Sequence, residues 1–157
     1  MIPISCCLLF TGCISNLLKE KIPDFSSELT FKKPPGLFDK ISSSSYPAWK
    51  NSETQNVILI TSNCENSQYP VKQAHQNISE SVDDSVLENY KMTGLNINKF
   101  VSKKITGTVD SSAVEIRTVA FQYHNCVFVS GLSGKPQSVE KDLENWKSFL
   151  NTVEFKK

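Results

Sequence analysis

No apolar run in this sequence of 157 residues reaches the roughly 20 residues that a transmembrane helix needs, so no membrane span is expected. The sequence also lacks a glycine-rich phosphate loop, an HExxH motif and a GxSxG motif, which mark P-loop nucleotide hydrolases, zinc proteases and α/β-hydrolases. A charge excess is lacking too, since 17 Lys and Arg balance 16 Asp and Glu to a formal net charge of +1. Because nucleic-acid-binding proteins usually carry a clear basic excess, no nucleic-acid partner is expected.

What is present predicts one folded domain. Hydrophobic residues make up 39% of the chain, and nine Phe, two Trp and four Tyr supply enough apolar surface for a core. The length suits a single domain, and no internal repeat divides it. Since neither a nucleophile nor a general base is marked out by its neighbours, the protein is not expected to be an enzyme, and no cofactor or metal is predicted.

The first twelve residues are apolar and uncharged, and they end in a small residue before a cysteine. Such a stretch is typical of a secretory signal, in which small side chains precede the cleavage site. Phe10-Thr11-Gly12-Cys13 resembles the lipobox of bacterial lipoproteins, although Phe10 stands where Leu is usual and no Lys or Arg precedes it. We therefore predict a lipoprotein signal peptide over residues 1–12 and acylation, palmitate included, of Cys13. The alternative is a buried first strand or helix with Cys13 as a core thiol.

Residues 13–35 are predicted to form a flexible tether after the lipidated cysteine. They carry Lys19, Glu20 and Lys21 and run into Pro34-Pro35, a polar and proline-punctuated composition that suits a linker. Multiple acylation makes such an attachment durable, because one acyl chain holds only weakly. By resemblance to Gram-negative lipoproteins, Ile14 in place of Asp after the cysteine permits transport to the outer membrane. The expected location is therefore the cell envelope, with the protein lipid-anchored and facing the periplasm.

Export would leave two cysteines in the domain, because the two in the leader are removed and Cys13 is acylated. In an oxidising compartment the survivors, Cys64 and Cys126, are expected to pair as a disulfide. Three alternatives stay open: two free buried thiols, a metal site built from Cys64, His124 and Cys126, or a nucleophilic Cys–His pair.

The first half of the domain contains one predicted strand and one long predicted helix. Residues 31–56 are expected to be extended or looped, with Trp49 as the first core anchor. The β-branched run 57–60 predicts a central strand that is covered on both faces. Apolar residues at three- and four-residue steps then predict a helix over 71–90, with His75 at the rim of its apolar face.

The second half predicts a β-meander followed by a helix. Alternating apolar residues predict strands over 99–109, 113–123 and 126–131, with Lys103, Glu115 and Arg117 on solvated faces. A last helix is predicted to begin near Pro136, and its apolar stripe is formed by Val139, Leu143, Trp146, Phe149 and Leu150.

This order of elements predicts an α+β fold in which helices flank an antiparallel β-sheet, over a single domain of residues 36–157. The arrangement resembles the PsbP-like α/β/α sandwich. The pattern Trp49-x-Asn51-x-x-Thr54-x-Asn56-x-Ile58, followed by Ser62-x-Cys64, Val109-Asp110 and Asn125-Cys126, resembles a group of small bacterial lipoproteins of uncharacterised function. This resemblance implies a periplasm-facing domain with a Cys64–Cys126 bridge, and it implies no reaction.

The predicted function is non-enzymatic. By analogy with the accessory roles of PsbP-like proteins, we expect a membrane-anchored module that binds another envelope protein or assists an assembly. The alternative is a small-ligand-binding module whose pocket lies between the sheet and a flanking helix, lined by Tyr90, Tyr123 or Trp146.

Overall fold

A seven-stranded sheet, antiparallel throughout, is the centre of the structure, which is a computed structural model that describes residues 25–64 and 70–156. The strand order is β2-β3-β4-β8-β7-β6-β5. The strands are β2 (Phe38–Lys40), β3 (Ala48–Asn51), β4 (Val57–Asn63), β5 (Asp83–Asn89), β6 (Val101–Val109), β7 (Ser112–Tyr123) and β8 (Cys126–Gly134). The α+β class and the antiparallel sheet predicted from the sequence are confirmed.

The remaining elements lie around this sheet. A two-stranded ribbon pairs β1 (Leu29–Thr30) with β9 (Glu154–Phe155). The helices are α1 (Val71–Glu80), α2 (Pro136–Val139) and α3 (Leu143–Leu150), with a 3-10 turn over Glu140–Asp142 between the last two. The predicted terminal helix is thus confirmed, but its axis is interrupted one turn after it begins.

Helices cover both faces of the sheet, and the two cores differ. Successive strand residues point to opposite faces, so Phe121 and Ala120 of β7 belong to different cores. Phe121 packs in a large core with Phe128 and Trp146, rich in aromatic side chains and closed by α3. Ala120 belongs to a small core of Ala and Val side chains beneath α1, which includes Ala74. The side chains beneath α1 therefore offer much less apolar area than those beneath α3.

The meander β6-β7-β8 forms as predicted, with each strand beside the next. Asp110 and Ser111 connect Val109 to its partner Ser112, and both connecting residues have positive φ, 48° and 63°. Two left-handed residues form the type I′ turn whose twist matches that of the strands it joins.

The predicted helix over 71–90 is wrong beyond Glu80. The chain turns at Ser81, whose amide and hydroxyl both donate to the carbonyl of Ile78, and residues Asp83–Asn89 form strand β5. Apolar residues four apart fit a helix, but Asp-Asp-Ser at 83–85 disfavours it, because these short polar side chains compete for backbone hydrogen bonds. Pairing with β6 then satisfies the backbone of this segment.

Residues 31–56 consist of the short strands β2 and β3 and of loops, which agrees with the extended or looped conformation expected, and Trp49 is buried as predicted. One expectation about the first half of the domain needs correction. β4 is an internal strand, but alternating burial along it shows that only one face is fully covered.

Residues 25–35, assigned to the tether by composition, lie against the domain. Leu29 is buried, and Phe25 and Phe31 pack edge-on against Phe128 and Trp49. Within the described residues, the folded unit therefore includes 25–35, because these side chains pack against the large core. The signal over 1–12, Cys13 and tether residues 14–24 lie outside the described residues.

A disulfide joins Cys64 and Cys126 across the β4–β8 pair. The ladder between these strands ends with Asn63 opposite Val127, so the next residue of each strand faces the other, with the two Cα atoms 4.1 Å apart. Antiparallel register thus brings together two cysteines that are 62 residues apart in sequence.

Removing this bond should lower stability. On the chain-entropy model a loop of this length contributes about 4 kcal/mol, which corresponds to roughly 10 °C in melting temperature. We expect Cys64→Ser and Cys126→Ser to lower the melting temperature by similar amounts, measured by circular dichroism. The double variant should melt no lower than either single variant, because all three lack the same bond. A melting temperature unchanged by either substitution would contradict this expectation.

Candidate functional site

A buried carboxylate, that of Asp142, is the centre of the largest polar cluster in the described part of the chain. Its residue is 2% exposed. One carboxylate oxygen accepts hydrogen bonds from the side-chain amides of Asn51, at 3.0 Å, and Asn145, at 3.1 Å. The other accepts from the side-chain amide of Asn56, at 2.7 Å, and from the hydroxyl of Thr54. Four donors thus occupy the four acceptor positions of the carboxylate.

The β3–β4 hairpin holds three of these donors in place. Asn51 closes the hairpin, because its amide donates to the carbonyl of Asn56 at 2.8 Å. The side-chain oxygen of Asn51 accepts from the amides of Glu53 and Thr54, which bends the chain in an Asx turn. Gln55 completes the reversal with φ of +62°. The turn therefore aims the side chains of Asn51, Thr54 and Asn56 at a single point.

The end of β8 and helix α2 complete the cluster around Asn56. Its side-chain amide also donates to the carbonyl of Ser138 at 2.7 Å, and its side-chain oxygen accepts from the Ser138 hydroxyl at 2.6 Å. Gly134 makes room for this arrangement, since a Cβ there would lie 1.9 Å from the side-chain oxygen of Asn56. The cluster thus joins the hairpin to the end of β8 and to the carboxy-terminal helices.

This arrangement indicates a structural role for the cluster. A carboxylate with every acceptor position filled by a protein donor has none left for a metal ion or for a substrate proton. Asn51, Thr54 and Asn56 belong to the pattern that resembles small lipoproteins, and the structure shows what they do together. Sequence analysis missed Asp142, although it lies three residues after Val139 and four before Trp146, on the apolar stripe of the last helix.

Arg117 and Glu115, expected on a solvated face, point instead into the side of the sheet that α3 covers. The guanidinium donates to Glu115 at 2.8 Å and to Glu140 at 2.7 Å. It also donates to the Tyr90 hydroxyl at 3.1 Å and lies 4.8 Å from the centre of that ring. Lys103, on the other face, donates to Asn89 in an exposed bond. The group around Arg117 joins β7, the 3-10 turn and Tyr90, the residue that follows β5.

The three aromatic residues predicted to line a ligand pocket are not brought together. Trp146 is fully buried and its ring N–H donates to the Ser130 hydroxyl at 2.9 Å. Tyr123 stacks on Phe155 with ring centres 4.0 Å apart, and Tyr90 contacts Arg117. Each ring therefore has a separate structural partner.

An open cleft of about 430 Å³ lies elsewhere, where α1 begins beside the adjoining ends of β6 and β7. Its lining combines apolar residues with Gln122, Lys99 and His124. The volume is within the range of small-molecule sites.

His75 of α1 is buried, with an exposure of 1%, and not at a rim as expected. Its Nδ1 lies 2.7 Å from the hydroxyl of Thr118 on β7, whereas its Nε2 has no partner within hydrogen-bonding distance. Burial lowers the pKa of His75 below its usual 6.5, and the charge of Lys103 acts in the same direction, while the nearby Val101 backbone opposes the shift. The folded state therefore favours the neutral imidazole.

Neither Cys64 nor Cys126 is free to serve in the alternative metal site or as the alternative nucleophile. Both thiols are consumed by the disulfide, and His124 is largely exposed, with its Nδ1 3.5 Å from the Glu28 carboxylate. Within residues 25–64 and 70–156, no group of three or more His, Cys, Asp or Glu side chains is arranged to hold a metal ion. Over the same ranges, no helix is long and apolar enough to cross a membrane.

Comparison with known proteins yields a fold and no function. No family model and no curated protein matches the chain. Among solved structures, it is similar to PA94 from Pseudomonas aeruginosa, a protein of unknown function described as a candidate regulator. The two share 15% sequence identity with a TM-score of 0.54, over 87% of this chain and 90% of the other. At this identity the likeness shows the shared fold alone.

The Asp142 cluster generates a prediction about stability. Asp142→Asn turns one acceptor oxygen into an N–H donor, and because each oxygen accepts from two side chains, buried donors lose their partner whichever way the amide is oriented. Such a loss costs roughly 3 kcal/mol, to be measured by urea denaturation.

The matched control is Glu144→Gln, which makes the same chemical change two residues away on a side chain that is 82% exposed. Its effect should stay within about 0.5 kcal/mol. Equal stability of the two variants would show that the cluster does not hold the hairpin.

Proposed function

We propose that this protein is a lipid-anchored module of the cell envelope whose domain faces the periplasm and binds another envelope protein. The observation that carries the binding half of the proposal is the open edge strand β5. The lipobox-like Phe10-Thr11-Gly12-Cys13 supports the anchoring half. The Cys64–Cys126 disulfide supports export, because such bonds persist in oxidising compartments.

β5 pairs with β6 along one side only, and in the described part of the chain no strand pairs with its other side. Val86 is 53% exposed and Leu87 is 37% exposed, which is unusual for large apolar side chains. Their partners on β6, Thr106 and Ile105, are adjacent residues, so Val86 and Leu87 project to opposite faces. An extended segment added at this edge would pair with the free backbone groups and cover one or both side chains.

The first residues of β5 are less suited to pairing with an added strand than its last residues. The register shifts between Asp83 and Val86, and Asp84 has φ of +50°. A bulge and two carboxylates are devices by which proteins discourage pairing at an edge. The partner segment is therefore expected to pair along Val86–Asn89 and to carry a basic residue towards Asp83 and Asp84.

We infer a PsbP-like sandwich from the antiparallel sheet between two helical layers and from the order of its elements. PsbP-like proteins commonly act as accessory subunits, and this analogy supports a binding role without naming a partner.

Small-ligand binding is the second candidate, favoured by the cleft of about 430 Å³ beside α1. Tyr90, Tyr123 and Trp146, the aromatic residues expected to line a pocket, are not among the residues that line this cleft. We rank it below protein binding for this reason.

Substitution of Cys13 should abolish lipidation and membrane attachment. Cys13→Ser removes the thiol that would receive diacylglycerol, so the variant should lose palmitate label and shift from the membrane to the soluble fraction. Cys6→Ser, in the same leader, is the matched control and should keep both. Equal labelling of the Cys13→Ser variant and the unsubstituted protein would exclude this cysteine as the lipidation site.

The open edge predicts position-specific cross-linking. A photoreactive residue at position 86 in the full-length, membrane-attached protein should yield a discrete product with a second protein. The same residue at position 37, where Leu is 51% exposed at the other side of the sheet, should not. Val86→Lys should weaken binding of the identified partner at least tenfold, because a charge would enter the contact. A product formed equally from both positions, or a cross-linked homodimer, would contradict the proposal.

A further inference from the structure

We propose that His75 makes α1 an acid-sensitive latch, so that protonation of its imidazole releases the helix from the sheet while the rest of the domain stays folded. This inference does not depend on the proposed binding function. It rests on the burial of His75, on the weak attachment of α1 and on the separation of the two cores.

The surroundings of His75 favour the neutral ring, because burial and the charge of Lys103 outweigh the opposing effect of the Val101 backbone on its pKa. Nδ1 is bonded to Thr118, and the buried Nε2 makes no hydrogen bond. A second proton would place a charge in the interior with only the Val101 backbone to offset it, which costs far more than it would in water. In the released state the ring is hydrated and can take the proton freely. Acid therefore favours release.

Among the described residues, no buried acid faces His75 to neutralise that charge, since Asp142 and Glu115 lie on the other side of the sheet. From β6 the charged neighbour is Lys103, which repels an imidazolium. On β7, the residues facing α1 are apolar or uncharged, because Glu115 and Arg117 lie on the opposite face. On β8 the facing residues, Val127 and Val129, are apolar.

The remaining charged groups near α1 are exposed. On the helix itself Lys72 and Glu80 lie in solvent. On β5, Asp83 and Asp84 are exposed, and Glu88 pairs with Lys104 at 3.3 Å. Solvent screens such groups, so they offer little compensation to a charge on His75.

Among the described residues, the side chains packed beneath α1 are smaller than those of the large core. Its partners in the small core are Ala120, Val127 and Val129, and Ile105 of β6 is buried on the same face of the sheet. A hydroxyl pair, Ser79 with Ser85, joins α1 to β5 at 2.9 Å. The large core, with Trp146 and the Phe side chains, lies on the other face. Release of α1 would leave that core and the β6-β7-β8 ladder intact.

Val82 and Asp83, which form the corner between α1 and β5, lie directly on β6. Gly107 permits this close approach, since a Cβ there would lie 2.5 Å from both the Asp83 carbonyl and the Val82 side chain. Val82 is buried at this contact. The corner is thus fixed to the sheet, and movement of α1 would turn about Ser81.

Hydrogen exchange on the full chain tests the latch. Below pH 6.5 the released state binds one more proton than the closed state, so its population should rise about tenfold per pH unit until the closed state also titrates. Between pH 7.5 and 5.5, after correction for intrinsic exchange, amides of residues 71–80 should lose protection accordingly. Amides of β7 and β8 should keep theirs.

The chain has two His, which supplies a matched control. His75→Gln should remove the pH dependence, because the amide can still bond Thr118 but does not titrate, whereas His124→Gln should retain it. Protection of α1 that does not change with pH, or uniform loss across β7 and β8, would overturn the latch. If His75→Gln fails to fold, NMR titration of the unsubstituted protein decides: a His75 ring that titrates at or above 6.5 refutes it.

Discussion

The hydrogen bonds to Asp142 are the interaction on which the arrangement of the domain depends. They connect a hairpin at one side of the sheet to the helices that close the large core, over 86 to 91 residues of sequence. Burying a carboxylate is expensive unless its acceptor positions are filled, and here the hairpin supplies three of the four donors. The same bonds hold the turn between β3 and β4, so neither the turn nor the helix position is independent of the other.

The disulfide and the aromatic core stabilise the same side of the molecule. The bond between Cys64 and Cys126 joins the two strands that carry Ile58, Ile60 and Phe128 into the large core. The face beneath α1 has neither advantage, because its core is made of Ala and Val and contains a buried histidine. This asymmetry gives the domain one strongly held layer and one that can open locally, as elements with few buried contacts commonly do.

The polar clusters explain why local patterns misjudged several residues. Glu115 and Arg117 alternate with apolar residues, which fits a solvated face, yet they meet Glu140 and Tyr90 from distant parts of the chain. His75 lies at the edge of an apolar stripe in sequence but beneath the helix in space. In each case the residue that determines burial lies on another element of the fold. A pattern in a short stretch of sequence therefore does not include it.

The sequence by itself determined the class of the fold, the three meander strands and the last helix, because hydrophobic periodicity and residue type are local properties. Only tertiary structure decided that residues 83–89 are a strand and that residues 25–35 pack on the domain, since backbone pairing with β6 and burial against aromatic rings outweigh local propensity. The role of Asp142 was likewise decided there, because a buried carboxylate is stable only where donors from separate elements converge on it.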